Sequence, residues 1–226
     1  MSYQLVWFKR DLRWQDHAAL AEASKRGKIR CIYIVEPGLW QQPDAALQHF
    51  EFVRESLHAL DAALRPLGGC IEIHMGEARE VLSRIWREAP FAHLHSHQET
   101  GNHWTYQRDL QVAAWCKAHD IAWHEHAQFG VVRALKRRDG WQTAWEAHMQ
   151  SAQQDLSAPV FWKTPSPEPL HLLAPHHLTH DPPLRQRGGR AEGLAALHSF
   201  LKARSLGYRG GISSPLSAPD ACSRLS

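Results

Sequence analysis

Short apolar runs recur along the first two thirds of the chain, and the first of them covers residues 3–8. It is rich in aromatic and β-branched residues and alternates poorly between apolar and polar positions. That pattern is typical of a strand buried on both faces of a parallel sheet. Runs of the same kind predict four further strands, at residues 29–35, 70–75, 91–95 and 121–124.

Between these runs, apolar residues recur at steps of three and four, which predicts amphipathic helices. The helices that fit this spacing cover residues 18–24, 44–64, 77–88 and 105–119. Five strands that alternate with helices indicate an α/β fold with a doubly wound, Rossmann-like, five-stranded parallel sheet.

One more helix is predicted at residues 139–150, and it carries Trp141 and Trp145 four residues apart. Large aromatic side chains on one helix face usually pack inward, so both tryptophans are expected to face the core. The short basic run at residues 134–139 before this helix is expected to be a solvated lead-in rather than a phosphate site.

The pattern changes after residue 151. Residues 152–190 are rich in proline and show almost no periodicity, so they are predicted to form a linker. Leucines at helical spacing return at residues 191–206, which predicts a short helical segment before a turn-rich end. The sequence therefore predicts a domain at residues 1–151, a linker at 152–190 and the beginning of a second domain at 191–226.

A loop of alternating charge follows the first strand, with Lys9, Arg10, Asp11, Arg13 and Asp16. Loops at the carboxyl ends of parallel strands open onto the binding crevice of such sheets. The loop could bind an anion, or its carboxylates Asp11 and Asp16 could pair with Arg10 and Arg13, and both interpretations stay open. No G-x-G-x-x-G and no P-loop follows the strand, which disfavours an ordinary dinucleotide-binding dehydrogenase.

Three histidines, His93, His95 and His97, alternate along the fourth strand and its end, so their side chains should share one side of it. A zinc site would use such ligands. No carboxylate or thiolate evidently completes the set, so no metal is predicted, and His95 and His97 are expected to line the rim of the crevice.

The composition limits the location and the class of the protein. No apolar run approaches the roughly 18 residues that a membrane span needs, and the first residues show no signal or transit peptide, so a cytoplasmic location is expected. The four cysteines are widely spaced, which favours reduced thiols. A net charge of +3, with 17 histidines counted as neutral, permits nucleic-acid binding without requiring it. No nucleophile motif of a hydrolase is present.

The stretch at residues 7–17, Trp-Phe-Lys-Arg-Asp-Leu-Arg-Trp-Gln-Asp-His, resembles the opening W-F-R-x-D-L-R-x-x-D-N of the photolyase and cryptochrome family. Lys9 replaces the usual arginine and His17 the usual asparagine. The resemblance implies an α/β antenna domain, a linker and an all-helical domain that holds FAD. It also implies a light-dependent flavoprotein, either a carbon–carbon lyase that repairs pyrimidine dimers in DNA or a blue-light sensor.

The resemblance extends to the end of the chain. Tyr208 stands where the family has a tyrosine beside the flavin. The sequence Cys222-Ser223-Arg224-Leu225-Ser226 is similar to the family's T-S-x-L-S turn that holds the FAD phosphates, with Cys222 in place of threonine. The rest of the helical domain, through which a photolyase binds DNA, would follow Ser226. The chain alone is therefore expected neither to hold FAD stably nor to repair DNA.

The antenna chromophore is a separate question. The family's folate-binding branch has an Asn-Glu pair after the fourth strand, and residues 101–106 here, Gly-Asn-His-Trp-Thr-Tyr, lack it. Folate is therefore not expected, and a deazaflavin or an empty crevice stays open. The candidate crevice residues are Arg10, Asp11, His97, Glu99 and Asn102. The alternative interpretation of the chain is a stand-alone nucleotide-binding α/β module that docks on a partner; its oligomeric state is open.

Overall fold

The computed structural model of the chain describes residues 3–133, 135, 137–165, 170–211, 213, 216 and 218–223. Its centre is one sheet of five parallel strands in the order β3-β2-β1-β4-β5. This confirms the predicted doubly wound sheet. The strands are β1 (Tyr3–Phe8), β2 (Lys28–Val35), β3 (Ile71–Met75), β4 (His93–His97) and β5 (Ala122–His126).

The helices between the strands also follow the predicted order, with ends that shift by a few residues. They are α1 (Ala18–Arg26), the short α2 (Pro37–Trp40), which was not predicted, α3 (Leu47–Leu64), α4 (Ala78–Glu88) and α5 (His103–Ala118), and α6 (Trp141–Met149) follows β5. Later in the chain lie α7 (Arg190–Lys202), α8 (Tyr208–Gly211) and α9 (Ala218–Ala221), with single 3-10 turns at Arg65–Leu67 and Arg204–Gly207. Among the described residues, no helix has the length and hydrophobicity that a bilayer crossing requires.

The strand order explains where a ligand crevice can form. The chain builds outward from β1 through β2 to β3, then crosses to the other side of β1 and adds β4 and β5. The direction of winding therefore reverses between β1 and β4, and open α/β sheets bind ligands outside the carboxyl ends of the strands at such a point. Every residue of β1 is buried, as its poor alternation predicts.

One hydrophobic core cluster lies on the face of the sheet that carries α4 and α5. Its members are apolar residues of the central strands and the inward stripes of these two helices: Tyr3, Leu5, Trp7, Ile32, Ile34, Ala78, Val81, Leu82, Ile85, Phe91, Leu94, Val112, Trp115, Cys116 and Ile121. The four cysteines are free thiols, as the spacing predicts. Burial raises the pKa of Cys116 to about 12, so this thiol stays protonated at neutral pH.

The described residues form two compact units. Those of Met1–Ala45 and Leu60–Leu173 make up the α/β unit, and those of Ala46–Ala59 and Ala174–Ser226 make up the second unit. Within the second unit, Arg185 donates to Glu55 at 2.7 and 3.0 Å, and the amide of Gly188 donates to the same carboxylate at 2.8 Å. These bonds tie the segment before α7 to the first part of α3.

Part of the proline-rich segment packs on the α/β unit. The amide of Ile29 donates to Val160 O at 2.9 Å, and the amide of Trp162 donates back to Ile29 O at 2.8 Å. Phe161 thus forms an isolated parallel bridge with Ile29, and the Trp162 ring stacks on Tyr3 with centroids 4.8 Å apart. The lack of periodicity in the sequence therefore does not mean that this stretch is free of the sheet.

The prediction that Trp141 and Trp145 face the core is wrong, because both side chains are exposed. No residue of α6, all of which is described, is buried. Spacing of four residues shows that two side chains share a helix face, but it does not show that anything covers that face.

Candidate cofactor crevice at the carboxyl edge of the sheet

Asp11 lies at the carboxyl end of β1 and is buried. One carboxylate oxygen accepts from the amide of Lys9 at 2.7 Å, and the other lies 2.6 Å from His97 Nδ1 and 2.8 Å from His17 Nε2. Burial alone would raise the pKa of Asp11, but the hydrogen bonds from His17 and His97 hold it well below its usual range. The structure thus brings together Asp11 and His97, two of the predicted crevice residues.

Besides contacting Asp11, the His17 side chain caps the beginning of α1. Its Nδ1 accepts from the amide of Leu20 at 3.0 Å, so the side chain caps the helix. An asparagine, which the family motif has here, caps helices in the same way. Because Nδ1 accepts a hydrogen bond, the ring proton lies on Nε2, which is 2.8 Å from a carboxylate oxygen of Asp11. Burial lowers the pKa of His17, although Asp11 opposes that shift.

Asp11, His17 and His97 are also the one group in the described part of the chain whose ligand atoms lie close enough together for a metal ion. The hydrogen bonds favour a different interpretation. A metal on His17 Nε2 would require the ring proton to move to Nδ1, which already accepts from Leu20. The arrangement is better described as a carboxylate that is hydrogen-bonded to His97 Nδ1, with the Nε2 of His17 2.8 Å from the same oxygen.

A network of buried charges lies beside this group and is centred on Arg108 of α5. The guanidinium donates to Glu36 at 2.6 Å and to Asp109 at 3.0 Å, and it also forms a short contact with Glu99. Glu36 follows β2 and Glu99 follows β4, so Arg108 joins the loops on both sides of β1. Burial raises the pKa of Glu36 to about 7, against the effect of Arg108. Arg108 and Lys9 hold the pKa of Glu99 below its usual value, although burial opposes this.

The basic residues of the β1 loop join the same network. Arg10 Nε donates to Glu99 at 2.9 Å, and Lys9 Nζ lies 3.4 Å from Asp109. The predicted alternative in which Asp11 and Asp16 pair with Arg10 and Arg13 is therefore wrong. Asp11 binds histidines, and Arg13 Nε donates to the backbone oxygen of Asp16 at 3.2 Å. Lys9, Arg10 and Asp11 therefore pair with side chains outside the loop, whereas Arg13 bonds within it.

Indole rings alternate with these cations. The Arg108 guanidinium lies 4.9 Å from the Trp7 ring centroid and 5.9 Å from that of Trp104, and Lys9 Nζ lies 5.0 Å from Trp7 and 5.7 Å from Trp123. Cations at these distances are attracted to the ring faces. The floor of the crevice is thus built from paired charges and indoles.

An open cleft of about 460 Å³ lies at the same edge of the sheet. Asn102 lines it and caps α5, where its side chain accepts from the amide of Thr105 at 3.1 Å. The turn at Gly38 lies directly under Trp104, since a Cβ there would be 2.8 Å from the indole. The other lining residues are Gln42, Pro43, Asp44, His103, Trp104 and Gln107. Of the five predicted crevice residues, Asn102 lines this cleft, and the other four belong to the networks beside it.

His95 does not line the rim, and that prediction is wrong. It lies in the middle of β4 and is fully buried, with Nε2 3.1 Å from Gln4 Oε1 and its ring stacked on His124 at 4.7 Å. Its Nδ1 has no partner among the described residues. Only side chains at or after the end of a parallel strand reach the crevice, which is why His97 contacts Asp11 and His95 does not.

The residues that resemble an FAD phosphate site lie in the second unit. Tyr208 begins α8, and its ring packs edge-on against Phe200 at 5.6 Å. The amide of Cys222 donates to Ala218 O at 2.8 Å, and its carbonyl accepts from Arg204. Ser223 is the last described residue, and the remaining candidates, Arg224, Leu225 and Ser226, lie outside the described residues.

Sequence reasoning missed Arg108, Glu36 and Trp104 as residues of this edge. One signal was available for Arg108, because it falls on the inward stripe of α5 with Thr105, Val112 and Trp115. A charged residue on a buried helix face needs a partner. Glu36 had a similar signal, since it stands directly after a buried strand.

A family model and related sequences match this chain. The family model described as DNA photolyase matches residues 4–144, which is more than half of the chain. The deoxyribodipyrimidine photo-lyase of Salmonella typhimurium is 35% identical over 100 residues, which cover 42% of this chain and 21% of the enzyme.

Two solved structures are similar in fold. A cryptochrome from Synechocystis sp. PCC6803 matches with a TM-score of 0.71 at 19% identity, over 100% of this chain and 52% of its own. An archaeal photolyase from Sulfolobus tokodaii, solved with two FAD molecules, matches with a TM-score of 0.66 at 21% identity, over 86% of this chain and 45% of its own. The chain thus spans about half of each solved structure and a smaller part of the curated relative.

Proposed function

Because the chain belongs to the DNA photolyase family, we propose that it is the antenna part of a light-dependent flavoprotein, a photolyase or a cryptochrome. The flavin would supply the photochemistry, an electron donated from its excited reduced state. Binding of DNA and cleavage of the bonds of a pyrimidine dimer would belong to a longer protein, since this chain spans only part of its relatives. A cytoplasmic location is part of the proposal.

The open cleft beside Trp104 is the observation that supports an antenna role. It lies at the switch point of the sheet, where α/β folds bind ligands, and it offers one indole together with amide side chains of Gln42, Asn102 and Gln107. Lys9, Arg10 and Arg108 are all engaged by carboxylates. Such a cleft suits a planar, polar heteroaromatic ring better than an inorganic anion.

In this proposal the predicted residues have different tasks. Asn102 would contact the ring or orient α5 beside it, while Arg10, Asp11, His97 and Glu99 hold the loops that form the cleft. A deazaflavin or a flavin has the required chemistry. The Sulfolobus tokodaii photolyase holds two FAD molecules, with the implication of a novel light-harvesting cofactor. Folate is not proposed, because the chain lacks the Asn-Glu pair.

We assign Tyr208 and Cys222 to Ser226 to contact with the catalytic FAD. The turn before Tyr208 packs beside α9, since a Cβ at Gly207 would lie 3.8 Å from Ala221 Cβ, and Arg204 holds the backbone at Cys222. Backbone amides and hydroxyls at a turn are suitable phosphate donors.

The antenna role can be tested by titrating the purified chain with FMN and with an 8-hydroxy-5-deazaflavin, and by following quenching of their fluorescence. Trp104→Ala should weaken binding by about tenfold, which corresponds to the loss of one stacked aromatic contact. Tyr106→Ala, which removes an exposed ring from the same helix, is the matched control. Equal affinities of the two variants, or no binding by the parent chain, would contradict the role of the cleft.

The expectation that this chain is inactive alone has its own test. Under blue light the purified chain should not repair dimer-containing DNA, and any flavin that co-purifies with it should be lost in Trp104→Ala, as expected of a chromophore in the cleft rather than a catalytic FAD. The alternative of a stand-alone module is distinguished by the coding sequence beyond Ser226, because a photolyase or cryptochrome would continue into a helical domain.

A further inference from the structure

Large apolar side chains lie exposed on helix α6 of the α/β unit. Trp141, Trp145 and Met149 follow one another at steps of four, so they form one stripe along the helix. They are 43%, 41% and 60% exposed. The two indole rings stack with centroids 6.4 Å apart and an angle of 29° between their planes. The helix thus presents its most hydrophobic face to its surroundings.

The segment before α6 extends this stripe. Gly130 is buried against it, since a Cβ there would lie 2.5 Å from Trp145 Cδ1, and its neighbours expose apolar side chains. We call the group the α6 patch: Phe129, Val131, Val132, Trp141, Trp145 and Met149. Single exposed apolar residues are normal on a protein surface, whereas a contiguous group of large ones marks an interaction surface.

The two ends of α6 differ in charge. Arg137 and Arg138 are exposed just before the helix, next to one exposed carboxylate, Asp139, and Arg138 O accepts from the amide of Trp141 at 3.1 Å. The other end carries the last carbonyl groups of the helix, its negative pole, with Glu146 and His148 in the final turn. A partner helix that runs antiparallel to α6 with the same distribution of charge would therefore be complementary at both ends.

We infer that the α6 patch is the interface of a twofold symmetric dimer, in which α6 packs antiparallel on α6 of a second copy of this chain. The stripe is self-complementary about Trp145, as an isologous interface requires. Trp145 faces its own counterpart, and Trp141 of each copy faces Met149 of the other, a favourable contact of thioether and aromatic ring. Arg137 and Arg138 of each copy reach the carbonyl end of the other helix.

Sedimentation equilibrium of the whole chain tests this inference over a range of about 1 to 200 µM, which brackets micromolar affinities. The chain should dimerise in a concentration-dependent way. Trp145→Glu places a charge against its own counterpart and should raise the dissociation constant at least tenfold. Leu110→Glu is the matched control, because Leu110 is an exposed apolar residue of another helix in the same unit.

Circular dichroism and thermal unfolding show whether both variants fold as the parent does. A chain that stays monomeric up to about 200 µM overturns the inference and leaves the patch to a different partner. So does a folded Trp145→Glu variant that dimerises like the parent.

The orientation of the two helices has a separate test. Reversing both charges in Arg137→Glu/Arg138→Glu should weaken the dimer about tenfold, because glutamates would then meet the negative end of the partner helix. The matched control is Arg84→Glu/Arg87→Glu, which reverses two exposed arginines of α4. If the two double variants dimerise with equal affinity, the antiparallel arrangement is wrong.

Discussion

Arg108 is a buried cation that three carboxylates surround, from Glu36, Glu99 and Asp109. Two of these side chains are themselves buried. A buried ion pair adds little over a well-packed apolar group, but removing one partner leaves charge without compensation. Because three carboxylates surround Arg108, removing its positive charge should destabilise the fold more than breaking a single ion pair would.

Replacing Arg108 with methionine is therefore expected to lower the free energy of unfolding by about 3–5 kcal/mol, because Glu36 would stay buried without its cation and Glu99 would keep only Lys9 and Arg10. Urea unfolding measures the change. Arg84→Met, which replaces an exposed arginine of α4, should change stability by less than about 0.5 kcal/mol. If the two variants have the same free energy of unfolding, the ion pairs of Arg108 do not stabilise the fold as described.

Strands β4 and β5 bring five histidines to one face of the sheet. Histidines occupy every second position on both strands, so their side chains point to the same side. His95 lies opposite His124, and His97 lies opposite His126. The ring of His95 stacks on both His124 and His126, at 4.7 and 5.9 Å. Burial, followed by the charges of His124 and His126, lowers the pKa of His95 to about 3, and burial lowers that of His126 to about 4.

These shifts make the sheet sensitive to acid. A histidine whose pKa is lower in the folded state than the ordinary 6.5 stabilises the fold above pH 6.5, and this contribution is lost as the pH falls toward the folded pKa. Between pH 7 and pH 5 we expect the free energy of unfolding to fall by on the order of 2 kcal/mol because of His95. Urea unfolding at the two pH values measures it.

His95→Gln keeps a polar partner for Gln4 and should reduce this acid-induced loss of stability. His103→Gln, which alters an exposed histidine, should leave it unchanged. The groups that face the histidines from the packed elements are Gln4, Glu22 and Arg26, and none of them is altered. An identical dependence on pH in all three proteins would contradict the assignment to His95.

The beginning of α7 offers a comparison of two glycines in the second unit. At Gly188 a Cβ would lie 2.1 Å from the backbone oxygen of Phe52, whereas at Gly193, inside α7, nothing lies within 4 Å. Gly188→Ala is therefore expected to destabilise by more than about 1 kcal/mol, because backbone must move. Gly193→Ala should stabilise by about 0.5–1 kcal/mol, since alanine is the better helix former.

Thermal unfolding of the two glycine variants measures both effects. The expected result is a shift of the midpoint in opposite directions. Two shifts of the same sign would show that the segment before α7 does not lie against α3 as described.

At the scale of the whole molecule, the chain returns to its first strands after more than 130 residues. Trp162 stacks on Tyr3 of β1 and donates to Ile29 of β2, and Lys163 Nζ lies 3.0 Å from Glu72 of β3. One short stretch of the proline-rich segment thus contacts three strands at the amino edge of the sheet. This contact closes the α/β unit at the end opposite the cleft.

Trp162→Ala is expected to destabilise the α/β unit by about 3 kcal/mol, because it removes a large ring that packs on the core. Urea unfolding followed by circular dichroism measures it. Tyr106→Ala removes an exposed ring and should have a much smaller effect. A Trp162→Ala variant as stable as the Tyr106→Ala variant would mean that the segment does not close the unit.

The sequence by itself determined the α/β class and the family. A strand that is buried on both faces and a helix with one apolar stripe each have a characteristic spacing of apolar residues. The local sequence pattern was therefore sufficient to predict these elements. The motif at residues 7–17 is contiguous and could be read in the same way. It led to Asp11, and the alternation of histidines along the fourth strand led to His97; the structure places both in one hydrogen-bonded group.

Only the tertiary structure decided which charges meet and which faces are covered. Arg108 and Glu36 are 72 residues apart, and the order of strands in the sheet, not any local pattern, brings their loops together. The exposure of Trp141 and the burial of His95 have the same cause. Periodicity states which side chains share a face, but burial depends on whether another part of the chain lies against that face.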